Sequence, residues 1–300
     1  MITTVAISTY NRREYLEKCV KSLKALDHFP DEIIIINDGS TDSSKEYLEK
    51  LKLADHRFKI IHHEKNQGLS AGRNTAIRHA KGDIIAFTDD DCIVTPQWFA
   101  ELQGPFANGS IVCAYGQVFY RSANYHGYFP ERIVQNKGPR WPMGANIAYR
   151  RSAFKQVGLF DTKFFKYNNE DSEMAFRLAR VGKFAAISSA IVYHQEMQWN
   201  CGSLLRSARN ASVWPVLYKK YGKHIFQQQF YPPIRLRHVV NARDYLYIIT
   251  LPLFLPILLM RYLLHGKRNL KMFFCKWPIY LFTRRAFIWF EAIRNGVFMI

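Results

Sequence analysis

Asp83-Ile84-Ile85-Ala86-Phe87-Thr88-Asp89-Asp90-Asp91 reads as a short apolar strand that ends in three carboxylates. Consecutive acids directly after a buried strand repel one another. A divalent cation relieves that cost, and hard oxygen ligands suit Mg2+ or Mn2+. Such an ion, held by one or two carboxylates, takes its other ligands from phosphate oxygens and water. Asp91 and Asp89 are the candidate metal ligands, with Asp90 between them. The alternative is a solvated acidic loop capping the next helix.

Upstream, strands and helices alternate. Thr4–Ser8 is a β-branched run, and Arg13–Leu26 spaces Leu16, Val20, Leu23 and Leu26 as a helix does. Glu32–Ile36 predicts a strand buried on both faces. Ser43–Leu53 predicts a helix, Phe58–His62 a strand, Leu69–Ala80 a helix and Asp83–Thr88 a strand. This βαβαβαβ order predicts a parallel sheet with helices on both faces. Ligands of such sheets bind beyond the carboxyl ends of the strands. The polar clusters Thr9–Arg12, Asn37–Ser40 and Asp89–Asp91 fall at those ends. After Pro96 the pattern is mixed: strands over Ile111–Phe119, Ala145–Arg150, Phe184–Ile187 and Ala190–Tyr193, and a helix over Asp171–Val181. Near Cys201 the chain turns aromatic, basic and helical or irregular. We therefore expect an α/β domain over residues 1–202, changing character near 95, then a helical region over 203–300.

Composition narrows the class. The 300 residues are 48% apolar and 22% charged, which is globular rather than disordered. Five scattered cysteines contain no CxxC pair. They indicate neither a disulfide framework nor a zinc site and favour a reducing compartment. Met1–Ser8 reads as a first strand, not as a signal peptide. The net charge is +18, and Cys201–Ile300 carries +14 of it, with 16 basic and 2 acidic residues. That asymmetry calls for an anionic partner: nucleic acid, membrane surface or acidic substrate.

Several clusters can carry chemistry. In Thr9-Tyr10-Asn11-Arg12 and Asn37-Asp38-Gly39-Ser40, Asp38 can accept a hydrogen bond from a base imide and Tyr10 can pack on the ring. A simple turn and helix cap is the alternative for the second cluster. In Asn66–Asn74, Gly68 and its small neighbours let backbone approach a ligand, and Arg73 can meet a phosphate or a base carbonyl. The alternative is close helix–sheet packing with a solvated arginine. His194 ends a strand and can reach a metal or a phosphate oxygen, or be structural. Trp141 and Asn146 by themselves fit ordinary packing and turn formation.

Taken in order, these residues resemble glycosyltransferase family 2. The resemblance rests on Thr9–Arg12, Asn37–Asp42, Asn66–Asn74, Phe87–Asp91, Gly144–Arg151 and Asn169–Glu173 with Arg177-Leu178 and Gly182. It covers roughly Thr3 to His194, and six motifs in family order are more specific than any one. Asn37 departs from it, standing where many members carry an Asp. The resemblance implies an α/β, GT-A type, Rossmann-like and mostly parallel sheet flanked by helices, with the helical extension following. It implies a nucleotide-sugar donor, uridine diphosphate sugars being the commonest, and Mn2+ or Mg2+. The nucleotide-sugar site would comprise Thr9, Tyr10, Asn11, Arg12, Asp38, Ser40, Gly68, Arg73, Asp89 and Asp90. The ion would be held by Asp91, Asp89 and His194, and Gly144, with Asn146 and Trp141, would face the acceptor. Transfer would go with inversion at the anomeric carbon. The catalytic base would be Asp171, with Glu170 second. For these two acids the residues alone also allow plain helix-dipole complementation.

In the tail, Tyr245–Met260 is almost wholly apolar, broken by Pro252 and Pro256. Its basic flanks include Arg235, Arg237, Arg243, Arg261, Lys267, Arg268 and Lys271. Phe273–Phe290 mixes Trp, Tyr and Phe with Lys and Arg, the composition of a membrane interface. The expected location is the cytoplasmic face of a membrane, peripheral or inserted, with an anionic membrane surface as partner and a glycan or lipid-linked acceptor. A helical subdomain packed on the catalytic core is the alternative. Two other classes compete: a nucleic-acid-binding protein, suggested by the charge but opposed by the acidic nucleotide-site segment, and a noncatalytic module of transferase-like fold. No nucleic-acid partner is expected.

Overall fold

The computed structural model describes residues 1–120, 135–138, 141–167, 169–195, 200–222, 243–266 and 268–299. These residues form two compact units. The first runs to Gln195, apart from a few residues just before Glu170, and the second takes those and the remainder of the chain.

In the first unit the opening alternation is β1 (Thr3–Thr9), α1 (Arg13–Lys24), β2 (Glu32–Asn37), α2 (Ser44–Ala54), β3 (Phe58–His62), α3 (Leu69–His79) and β4 (Ile84–Thr88). Then come β5 (Cys92–Val94), α4 (Trp98–Gln103), β6 (Ile111–Tyr120), β7 (Asn146–Arg150), α5 (Ala153–Val157), α6 (Glu170–Leu178) and β8 (Lys183–His194). The strands form one sheet in the order β3-β2-β1-β4-β7-β6-β8-β5. β1 pairs in parallel with β2 and β4, β2 with β3, and β6 with β8. β7 and β5 run antiparallel to their neighbours. The expected α/β sheet, mostly parallel and flanked by helices, is what the chain forms.

Strand alternation assigns the core. Val5, Ile7, Ile33 and Ile35 pack with Leu16, Val20 and Leu23 of α1, Leu48 of α2, and Trp98 and Phe99 of α4. Ala6, Ile34 and Ile36 point the other way, onto Ala76 and Ile77 of α3 and Met174 and Leu178 of α6. Each fully buried Ile contributes on the order of 1.5–3 kcal/mol, so β2 alone, with four, is a large part of the core. α3 lies close on β1, because a Cβ on Gly72 would collide with the Ser8 hydroxyl. Small-residue packing is thus part of what that motif does.

Two local expectations change. Phe184–Ile187 and Ala190–Tyr193 are one strand, β8, whose ladder to β6 runs to Ile187 and resumes at Ile191. Its register shifts opposite Gly116, where a Cβ would strike the Ala190 carbonyl. β5 and α4 were not expected, being too short for a periodic pattern.

The second unit holds α7 (Cys201–Asn210), α8 (Val213–Tyr221), α9 (Arg243–Leu264), α10 (Leu270–Phe274) and α11 (Leu281–Asn295). Leu204, Ala208, Met272, Tyr280 and Leu281 form one cluster, and Ile288, Ala292 and Met299 another. Contrary to the cysteine reading, Cys201 is bonded to Cys275. A separation of 74 residues gives no spacing signal to read. Cys19, Cys92 and Cys113 are free and buried. α9 runs unbroken through Pro252 and Pro256. It buries Asp244, Leu251 and Tyr262 but exposes Leu246, Ile249, Leu253, Phe254, Ile257, Met260 and Leu264. Its Asp244–Leu264 stretch of 21 residues is long and apolar enough to cross a membrane. Of the basic flank, Arg235, Arg237 and Lys267 lie outside the described residues.

Candidate active site

The carboxyl ends of β1, β2 and β4 bring the predicted clusters together. After β1, with Thr9 buried at its end and Tyr10 44% exposed, Asn11 takes a left-handed conformation at φ 52°. Asn tolerates that region better than most residues because its short amide bonds locally. Here Asn11 Oδ1 accepts from the Thr41 and Asp42 amides at 2.7 and 3.3 Å, and the Asn11 amide donates to Ser40 Oγ at 3.0 Å. The loops after β1 and β2 are thereby tied, and Arg12 is aimed at Asp90 and Asp91.

Asp38 is the best-supported side chain of the site. Its Oδ1 accepts from the Gln67 amide at 2.9 Å and lies 2.7 Å from His63 Nδ1, while Oδ2 accepts from the Gly68 amide at 2.8 Å. Gly68 sits at φ 87° as the first turn of α3 begins. Gly39 is also left-handed, at φ 72°, and a Cβ there would meet the Lys65 backbone. Asn37, the departure from the family pattern, uses both ends of its amide. Oδ1 accepts from the Ser40 amide at 3.1 Å and Nδ2 donates to His62 Nδ1 at 2.9 Å. His62 Nε2 then carries the proton and donates to Glu49 at 2.7 Å. An Asp at 37 would put a carboxylate against that ring nitrogen. His62 and His63 were not predicted as site residues. The available signal was their place at the end of β3, where Asn37 pairs with His62.

The Asp89–Asp91 turn is neutralised by arginines, which the repulsion argument did not consider. Arg12 Nη1 donates to Asp90 Oδ1 at 3.0 Å and to Asp91 Oδ2 at 2.8 Å. Arg73 Nη2 reaches Asp89 at 3.3 Å. Burial pushes the Asp90 carboxyl up to about 7, against the lowering effect of the Arg12 charge. His194, at the end of β8, approaches Asp91 Oδ1 with Nε2 at 3.4 Å. Its Nδ1 lies 2.9 Å from the Gln195 carbonyl, which can only accept, so Nδ1 holds the proton of the neutral ring. The Nε2 lone pair then faces a carboxylate oxygen. Only a proton or a cation between them satisfies both, so Asp91 and His194 fit a divalent ion. Among the described residues no group of three His, Cys, Asp or Glu side chains is gathered as a metal cage. Asp89 turns its carboxylate to Arg73 instead.

At the N-terminus of α6, Glu170 makes a 2.5 Å ion pair with Nη1 of the buried Arg73. Burial raises the Glu170 carboxyl to about 7, with the Arg73 charge opposing. Gly144 lies against Arg73 so closely that a Cβ would overlap the guanidinium. Its amide donates to Asp171 Oδ2 at 3.0 Å, and the Ser172 amide donates to Asp171 Oδ1 at 2.7 Å. Asp171 is thus oriented by backbone amides, with no cation paired to it among the described residues, whereas Glu170 is pinned to Arg73. Asn146 is not brought to the site. It is fully buried, accepts from Trp98 Nε1 at 2.8 Å and donates to the Gln117 and Ala190 carbonyls at 2.7 and 2.9 Å. Trp141 is half-buried, and its carbonyl accepts from Asn136 Nδ2 at 2.7 Å.

Comparison with known proteins places the chain in a family. Residues 4–174 match Glycosyl transferase family 2. The glycosyltransferase GlyG of Streptococcus pneumoniae is 34% identical over 269 residues, covering 81% of this chain and 87% of that protein. With several longer curated relatives the match is local and spans under two fifths of their length. The mannosyltransferase PcManGT of Pyrobaculum calidifontis, solved with GDP-Man and Mn2+, superposes with a TM-score of 0.68 at 16% identity, over 96% of this chain and 87% of that one. TarS 1-349 of S. aureus, solved with UDP-GlcNAc, gives 0.56 at 18% identity, over 76% and 70%. In sequence and in fold, the chain belongs to glycosyltransferase family 2.

Proposed function

We propose that the chain transfers a sugar, with inversion, from a nucleoside diphosphate sugar to an acceptor hydroxyl at the carboxyl ends of β1, β2 and β4. The observation that carries this reading is the Asp91–His194 pair standing beside Asp89, Arg73 and the oriented Asp171. Tyr10, Asp38, Ser40 and Gly68 would bind the nucleoside side, Thr9 and Asn11 shaping the loop around it. Asp38 is held by two amides and His63, which leaves its outer lone pairs to read a base imide. Asp91 and His194, with Asp89, would hold Mn2+ or Mg2+, whose charge would stabilise the leaving diphosphate. The complexes of PcManGT and TarS support the donor class, a uridine diphosphate sugar being the first candidate.

Asp171 takes the proton of the acceptor hydroxyl. Both its oxygens already accept one backbone N–H, which fixes the carboxylate plane while leaving lone pairs for that hydrogen bond. Glu170 holds Arg73 in place and is the weaker candidate. Gly144 and Trp141 border the acceptor. Residues 1–202 would carry this chemistry. Residues 203–300 would attach the enzyme to the cytoplasmic face of a membrane through α9 and the basic charge near it, which suits a lipid-linked or membrane-borne glycan acceptor. The bare apolar face of α9 favours lipid over nucleic acid as the anionic partner.

The test is thermal unfolding of the full chain with UDP, GDP and other nucleoside diphosphates, with and without Mn2+. A native-state ligand raises Tm by mass action. One nucleotide should stabilise only when Mn2+ is present, and Asp91→Ala should abolish that shift while remaining folded. Equal stabilisation without metal, or an unaltered Asp91→Ala response, removes Asp91 from the metal role.

A further inference from the structure

Asp90 and Asp91 have a cation of their own in Arg12. Its Nη1 bridges both carboxylates, at 3.0 and 2.8 Å. The two acids are 5% and 3% exposed, while the arginine side chain keeps 34% of its surface in solvent. One side of the bridge is anchored and the other is free to leave. The Arg12 backbone is fixed by the Asn11 clamp on Thr41 and Asp42, so only the side chain can swing. Asp91 is shared: Oδ2 faces Arg12 and Oδ1 faces His194. An ion bound to Asp91 and His194 would sit a few ångströms from a guanidinium on the same carboxylate. Two cations at that spacing repel, and the one with a solvent route gives way.

We propose that Arg12 is a displaceable counter-ion: it holds Asp90 and Asp91 in the unloaded enzyme, gives up Asp91 to the divalent ion, and then pairs with the diphosphate of the donor. The proposal rests on the metal-dependent donor binding argued above. It assigns Arg12 the opposite sign of effect on the two ligands. Arg12 opposes the bare ion, because it is a competitor, and favours the diphosphate, because a guanidinium fork matches phosphate oxygens.

The experiment measures Mn2+ binding to the full chain by the loss of the free-ion EPR signal, first without nucleotide. Arg12→Gln should bind Mn2+ more tightly than wild type, on the order of tenfold for removing one nearby charge. With saturating Mn2+, the same variant should bind UDP or GDP about tenfold more weakly, the scale of one charge-assisted contact. Uridine or guanosine, lacking phosphate, should bind it as they bind wild type. A merely structural Arg12 would weaken all three together. Unchanged or weaker Mn2+ binding by folded Arg12→Gln overturns the proposal. If circular dichroism shows that variant unfolded, Arg12→Lys decides. A point charge bridges two carboxylates less well, so it too should bind Mn2+ more tightly, and no change refutes the idea. Wild type that binds no Mn2+ would sink both the metal reading and this one. Wild type that binds Mn2+ beside an unaltered variant sinks this one alone.

Discussion

The two units bury charge differently. In the first, five carboxylates (Asp89, Asp90, Asp91, Glu170 and Asp171) crowd the ends of the strands with two arginines, Arg12 and Arg73, among them. Among the described residues the carboxylates there outnumber the arginines. In the second, one buried carboxylate, Asp244, serves two arginines: Arg284, and Arg285, whose Nη2 lies 3.0 Å from Asp244 Oδ2. Around that group α9 leaves large apolar side chains exposed. A buried ion cluster that is self-sufficient is commonly structural; one left with surplus charge of one sign is a place where a counter-ion belongs. The first cluster therefore reads as a receptor for cation and phosphate together. The second reads as a clamp among helices.

That contrast can be broken most forcefully at Asp244. Asp244→Asn takes one carboxylate from the buried Arg285 and from Arg284, and removing one partner of a buried pair costs about 3–5 kcal/mol. Denaturant unfolding of the full chain followed by limited proteolysis should show the second unit opening first. Unchanged stability would mean that the cluster is not the clamp. Next in size is a pH effect at Glu170. Its folded pKa of about 7 exceeds the ordinary 4.5, so the folded state holds this proton more tightly. The stability it contributes is fully present below about 4.5 and is lost as pH rises through 7, up to about 3 kcal/mol. Glu170→Gln should flatten the pH dependence of Tm in that window. An unaltered profile would show that Glu170 titrates outside it.

Asp171→Asn, nearly isosteric, keeps an acceptor for the Gly144 amide but cannot take a proton. Turnover should fall at least ~100-fold, about 2.7 kcal/mol, with donor affinity little changed. Loss of affinity in step with turnover would make Asp171 a binding residue. The smallest effect concerns the basic charge of Cys201–Ile300. Flotation with vesicles of increasing anionic lipid should recover more full-length chain, each basic residue near the surface adding about 1 kcal/mol. Recovery that ignores lipid charge would leave only the apolar face of α9 as the attachment.

What was legible in the sequence was what is local. Ile33–Ile36 announces a strand covered on both faces, and Leu16, Val20 and Leu23 announce the covering helix, because burial repeats at the period of each element. The candidate residues were legible because the polar clusters follow strand ends. Their partners were not. Arg12 finds Asp90 across 78 residues, His63 reaches back 25 residues to Asp38, and Arg73 meets Glu170 across 97. No periodicity records such pairings. The partners of Asn146 were hidden too: its amide fastens β7 to Trp98 and to the Gln117 and Ala190 carbonyls, 48, 29 and 44 residues away. The Cys201–Cys275 bond is hidden for the same reason, being set by how helices meet.

Gly144 has a practical corollary for anyone recombining this enzyme with its relatives. Because the Arg73 guanidinium fills the space a side chain at 144 would need, the acceptor-side segment and α3 are not independent cassettes. A crossover placed between residues 73 and 144 will succeed only with donors that bring glycine at the second position, or a shorter residue at the first. Libraries that vary either segment should hold that pair constant.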